Sequence, residues 1–127
     1  MQTEIILYVK DQRASALFYA ELLNIKPVLD VAGMTEFQLN TNCKLGLMPE
    51  EGIAKIITPA LPHPAKANGI PRCELYLMVD DISVYYERTK KLNAKIVNEI
   101  AGRDWGDTVF YLADTDGHVI AFAEKIS

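Results

Sequence analysis

The stretch Glu74-Leu75-Tyr76-Leu77-Met78-Val79-Asp80-Asp81 restates Glu4-Ile5-Ile6-Leu7-Tyr8-Val9-Lys10-Asp11 position by position. One interval of 70 residues separates Glu4 from Glu74, Val9 from Val79 and Asp11 from Asp81. Each copy is an apolar run rich in β-branched and aromatic residues that stops at charge, which is the signature of a strand. Each then offers an aspartate suited to cap a helix. Behind Asp11, residues Ala14, Leu17, Phe18, Leu22 and Leu23 fall on one helical face; behind Asp81, Val84, Tyr85, Arg88 and Leu92 do the same. After the helices, Leu92-Asn93-Ala94-Lys95 answers Leu23-Asn24-Ile25-Lys26. A duplicated unit is therefore expected.

Working outward, the first half continues through three short strand candidates around Val28-Leu29, Glu36 to Leu39 and Leu45 to Met48, separated by Gly33 and by Asn40-Thr41-Asn42. Thr108 to Leu112 and Val119 to Phe122 answer Thr35 to Leu39 and Lys44 to Leu47. The Asp-Gly of Asp114-Thr115-Asp116-Gly117 marks a hairpin between the last two strands. Residues 49–72 hold five prolines and two glycines, a composition that suits a connector better than a regular element. The expected organisation is one α+β domain over residues 1–127, with a first module over about 1–48, a connector over about 49–72 and a second module over about 73–127.

Composition narrows the class of partner. A chain of 127 residues, half of them hydrophobic and 24% charged, is large enough to bury a core without disulfides or structural metal. With a net charge of −4 and scattered Lys and Arg there is no basic field for nucleic acid. The opening MQTEIILYVKDQ lacks a basic segment ahead of its apolar stretch and meets charge early, which fits neither a signal peptide nor a membrane span, so a cytoplasmic location is expected. Cys43 and Cys73 form no metal or disulfide pattern and read as reduced, small apolar residues. Phosphate-binding loops, nucleophile elbows and the H-E-x-x-H zinc motif are all absent from the sequence.

The order of landmarks resembles the glyoxalase/bleomycin-resistance/dioxygenase superfamily, also called vicinal oxygen chelate proteins. Those landmarks are a strand ending in Val9-x-Asp11, a helix with Phe18-Tyr19, three strands, a second strand ending in Val79-Asp80-Asp81, and a closing Asp114-x-Asp116-Gly117-His118 hairpin. The resemblance covers nearly the whole chain and implies two βαβββ modules in tandem forming a cupped, partly closed sheet. It also implies a homodimer as the expected assembly, with modules pairing within a chain or exchanging between two. Metal-dependent members of the superfamily place His or Glu on the first and last strands of each half. Those positions fall here on Glu4, Gly46, Glu74 and Ala121, of which glycine and alanine cannot coordinate a metal. No cofactor is therefore expected; Glu4 and Glu74 are the sole metal candidates, for a weakly held divalent cation such as Mg²⁺ or Mn²⁺.

Side-chain alternation puts Glu4, Ile6 and Tyr8 on one strand face and Glu74, Tyr76 and Met78 on the matching face of the second half. The expected ligand site comprises Glu4, Tyr8, Phe37, Gly46, Met48, Glu74, Tyr76, Met78, Arg103, Trp105 and Ala121. In it Gly46 and Ala121 leave room, the carboxylates attract a cationic or donor-bearing small molecule, and Tyr8, Tyr76, Phe37 and Trp105 supply flat surfaces. Arg103 is placed to meet an anionic group from a mobile lip carrying Trp105. His118 reads as a turn residue and His63 as a solvated one. Three functions compete. The first is a bleomycin-resistance-like protein that sequesters or senses a small molecule, a role tied to antibiotic resistance; no catalytic residue is assigned. The second is a glyoxalase I-like lyase or other metalloenzyme built on Glu4 and Glu74, and the third is an interaction domain whose hollow is filled by its own side chains.

Overall fold

A computed structural model describes residues 1–126. The elements run β1 (Thr3–Val9), α1 (Gln12–Leu23), β2 (Leu29–Val31), β3 (Met34–Asn40), β4 (Cys43–Pro49), α2 (Glu50–Ile57), β5 (Glu74–Met78), α3 (Ile82–Lys91), β6 (Lys95–Gly102), β7 (Asp107–Ala113) and β8 (Val119–Lys125). The chain divides into two compact units, the first ending at Asn68 and the second beginning at Gly69. Their sheets have the same topology, β1-β4-β3-β2 and β5-β8-β7-β6. In each, the first strand runs parallel to the last and the remaining pairs are antiparallel. The expected partly closed sheet is thus two separate four-stranded sheets.

The duplicated landmarks do the same physical work twice. Asp11 caps α1 by accepting from Ala14 N at 3.0 Å, and Asp81 caps α3 by accepting from Ser83 N at 2.9 Å. Asn24 and Asn93, which end the helical segments, both adopt φ 53°, the left-handed conformation that asparagine tolerates better than most residues. Alternation then sorts the strands. In the first unit Leu7, Val9, Phe37, Leu45 and Leu47 are buried, together with Phe18, Tyr19 and Leu22 of α1. Burying each such side chain contributes about 1.5–3 kcal/mol.

The second unit builds its core from Leu75, Phe110, Leu112, Ile120 and Phe122 under α3. Aromatic geometry locks it: Tyr85 stacks on Phe122 at 4.4 Å, and Tyr86 meets Phe110 edge-on at 5.2 Å.

Two expectations need correction. The connector contains a helix, α2, which buries Ile53 and Ala54 and places Glu50 and Glu51 in its first turn, where negative charge complements the exposed N–H groups. Prolines and Gly52 conceal this short element, which packs against β4 and β1. The second correction concerns register. By strand pairing, Glu36 lies opposite Gly46, and the residue opposite Ala121 is Tyr111. The sequence match of Thr108–Leu112 to Thr35–Leu39 is therefore two residues out. The extra length sits between β6 and β7: six residues separate the paired Leu29 and Glu36 and twelve separate the equivalent Asn98 and Tyr111, whereas five separate both Gln38 from Lys44 and Ala113 from Val119. A shift of two preserves which face each side chain occupies while changing its partner.

Candidate ligand-binding faces

In the first unit, the sheet face opposite α1 carries Glu4, Ile6 and Tyr8 on β1, paired in register with Lys44, Gly46 and Met48 on β4. Glu36 and Gln38 join them from β3, opposite Gly46 and Lys44. Gly46 is the hub. A Cβ at this position would come within 2.5 Å of Glu4 Oε2 and 3.1 Å of an Ile6 side-chain carbon, so the glutamate lies down across the glycine. The volume expected to stand open at Gly46 is occupied by Glu4 itself.

That posture brings two carboxyl groups together. The Glu4 and Glu36 carboxyl groups lie close enough to interact, and Lys44 Nζ lies 3.4 Å from Glu36 Oε1. Partial desolvation against the sheet raises the proton affinity of Glu4 most, followed by the hydrogen bond to Glu36 and the repulsion of its charge; Lys44 offsets part of this. Ile6 and Tyr8 flank the pair at 39% and 38% exposure, giving an apolar and an aromatic surface beside the acids.

The second unit treats the corresponding face differently. Val109, Ala121 and Ala123 are fully buried there, with Tyr76 and Tyr111 packed against them. Two rings thus fill the space expected above Ala121. The Tyr76 hydroxyl donates to Asp107 Oδ2 at 2.6 Å and accepts from Trp105 Nε1 at 2.8 Å. Burial, then the Asp107 carboxylate, raises the proton affinity of the Tyr76 phenol, with the indole bond acting against them. Trp105 is therefore tethered, although 59% of it remains exposed. Glu74 and Met78 are exposed on the same face.

Three sequence expectations change. Phe37 is fully buried on the α1 side, opposite Leu45, and is a core residue with no surface to offer a ligand. Arg103 braces its own loop: one guanidinium nitrogen donates to Asn98 Oδ1, Glu99 O and Val109 O at 2.8, 3.1 and 3.0 Å, and the group sits 5.2 Å from the Tyr111 ring centre. Its charge goes to acceptors of this chain, so the loop is held in place by Arg103 and by the Trp105 tether. Glu36 was missed as a site residue. The signal was available, because in Glu36-Phe37-Gln38 alternation sends the lone apolar residue to the core and the polar pair to the other face.

The residues present do not fit the metal centre of the superfamily. Gly46 and Ala121 bring no donor atom, the Glu4 carboxyl lies against Glu36 beside an ammonium group, and Ala121 is sealed by tyrosines. Asp114, Asp116 and His118 do bring one potential ligand atom each within 4.8 Å of one another. Asp114 Oδ1, however, already accepts from Asp116 N at 2.9 Å and His118 N at 2.8 Å, which makes it the organiser of the hairpin turn. His118 is a turn residue, as its sequence context implies; His63 is instead half-buried, 3.0 Å from Glu51.

Among the described residues no helix is long and apolar enough to cross a membrane. A family model, the glyoxalase-like domain, matches residues 2–127. The chain is similar to the uncharacterized protein YwbC of Bacillus subtilis strain 168, with 31% identity over 94% of this chain and 93% of that protein. Its fold is similar to a glyoxalase-related enzyme from Fulvimarina pelagi, with 22% identity, 98% and 88% of the two chains covered and a TM-score of 0.82. It is also similar to a glyoxalase/bleomycin resistance protein/dioxygenase from Nocardioides, with 19% identity, 100% and 84% covered and a TM-score of 0.79. The family match over nearly the whole chain settles the family, and the solved structures share its fold: the chain belongs to the glyoxalase-like domain family.

Proposed function

We propose that this protein binds a small organic molecule without a metal ion, in the manner of the bleomycin-resistance branch, and that the first unit's face opposite α1 is where recognition occurs. The observation that carries this reading is the Glu4–Glu36 carboxyl pair laid over Gly46 beside exposed Ile6 and Tyr8. A metal ion needs several donor atoms converging on one point. An organic N–H needs only one or two acceptor oxygens and an apolar surface for its carbon frame. The face supplies the second set. A cation such as an amidinium or ammonium group is the chemistry that suits it, with the Tyr8 ring beside the acids as a cation–π surface.

Calorimetric titration of the wild type, Glu4→Gln and Glu36→Gln with benzamidine and with bleomycin tests the proposal. At least tenfold weaker binding in Glu36→Gln, with no change on adding a chelator, is the expected result. Equal affinities in all three proteins would remove the carboxyl pair from recognition. Zinc- or nickel-stimulated turnover of the methylglyoxal–glutathione hemithioacetal would replace the binding role by a lyase.

A further inference from the structure

The first unit contains a cleft of about 850 Å³ that lies apart from the face just described, between the outer side of α1 and the edge strand β2. Its lining is mixed, with apolar surface supplied by Ala16, Leu17 and Ala20 from the helix and by Pro27 and Val31 from the other side. Leu17 and Val31 are 62% and 52% exposed, so the cleft leaves apolar surface facing water without a covering element. At one end stand the cations Lys10 and Arg13, and two acids, Asp11 and Asp30, also line it.

The polar groups differ in what they already do. Asp11 is committed to the α1 cap, and Asp30 Oδ1 accepts from the Thr35 hydroxyl at 2.9 Å. Gln12 is also fully used: its Nε2 donates to Val31 O at 2.8 Å and Thr35 Oγ1 at 2.9 Å, and its Oε1 accepts from Gly33 N at 3.0 Å. These bonds tie β2 and the β2–β3 turn to the helix start, so the cleft walls are fixed relative to each other. Arg13 is exposed, on a long side chain whose fork matches a carboxylate.

We propose that this cleft is a second ligand site, selective for a small amphipathic carboxylate whose charged end meets Arg13 and whose hydrocarbon part lies along Leu17, Ala20 and Val31. It is independent of the carboxyl pair and would hold if that reading failed. Sodium octanoate is the probe, followed by amide chemical shifts in the ¹⁵N-labelled full chain, with acetate and octyltrimethylammonium as comparisons.

Saturable shifts confined to residues 10–20 and 27–33 are expected for octanoate, and little response to acetate, which lacks the chain. Arg13→Glu and Leu17→Glu, both at exposed positions, should each weaken octanoate at least tenfold, and Glu36→Gln should leave it unchanged. Undiminished binding to Arg13→Glu, equal affinity for octyltrimethylammonium, or shifts located elsewhere would each overturn the assignment.

Discussion

The two units share a topology, a capping aspartate, a left-handed asparagine and a first-strand glutamate, yet they dispose of equivalent faces in opposite ways. In the first, the positions opposite Gly46 are Ile6 and Glu36, and the face stays half exposed with two acids and a lysine. In the second, the positions opposite Ala121 are Tyr76 and Tyr111, and the face is closed by rings pinned to Asp107, Trp105 and Arg103. Keeping the backbone while exchanging the middle pair of side chains turns a half-exposed acidic surface into a second small core. Fold duplication therefore does not imply a duplicated site.

The largest test of that contrast is Phe37→Ala. If the first unit's open face is truly separate from its core, this substitution should cost about 3–5 kcal/mol of stability, as for a buried phenylalanine, measured by urea unfolding. A normal unfolding midpoint with lost ligand binding would return Phe37 to the site. Next comes Tyr76→Phe, which removes the partner of both Asp107 and Trp105. Leaving those groups unsatisfied should cost about 1–3 kcal/mol and shift Trp105 fluorescence to longer wavelength; an unchanged spectrum would show that the tether does not hold the indole.

Gly46→Ala should have the smallest effect on stability, about 1 kcal/mol or less, because the atom it displaces is the flexible end of Glu4. Its readout is titration. In the wild type the raised Glu4 value means that the folded chain holds the Glu4 proton more tightly than the unfolded chain does. That contribution to stability is full below the ordinary value of 4.5 and is lost as pH rises through the higher folded value. Gly46→Ala, which separates the acids, should flatten this slope on the alkaline side of 4.5. An unaltered slope would mean that the acids titrate independently already.

Outside the connector that hid α2, strand and helix identity was legible because alternation and capping are local, and the 70-residue interval exposed the duplication directly. The faces of β1 and β5 were legible for the same reason. What escaped was everything set by cross-strand pairing. A hairpin longer by a few residues moved Tyr111 into the place that linear matching gave to Val109. Reading Gly46 and Ala121 as empty space ignored what their neighbours would do with it: a flexible glutamate folds down in one unit and rings close over in the other. Arg103 and Trp105 carry the chemistry of a binding lip, and only their hydrogen-bond partners reveal that they are already engaged.

The parallel pairing of each opening strand with the closing strand of its own unit has a consequence for biosynthesis. Residue 3 must wait for residue 43, and residue 74 for residue 119, before their ladders can form. During translation each half therefore leaves the ribosome with its leading segment, apolar and unzipped, as the final piece to dock. Such non-local closure is entropically slow, so the pairing of each unit is completed only once its last strand has been made.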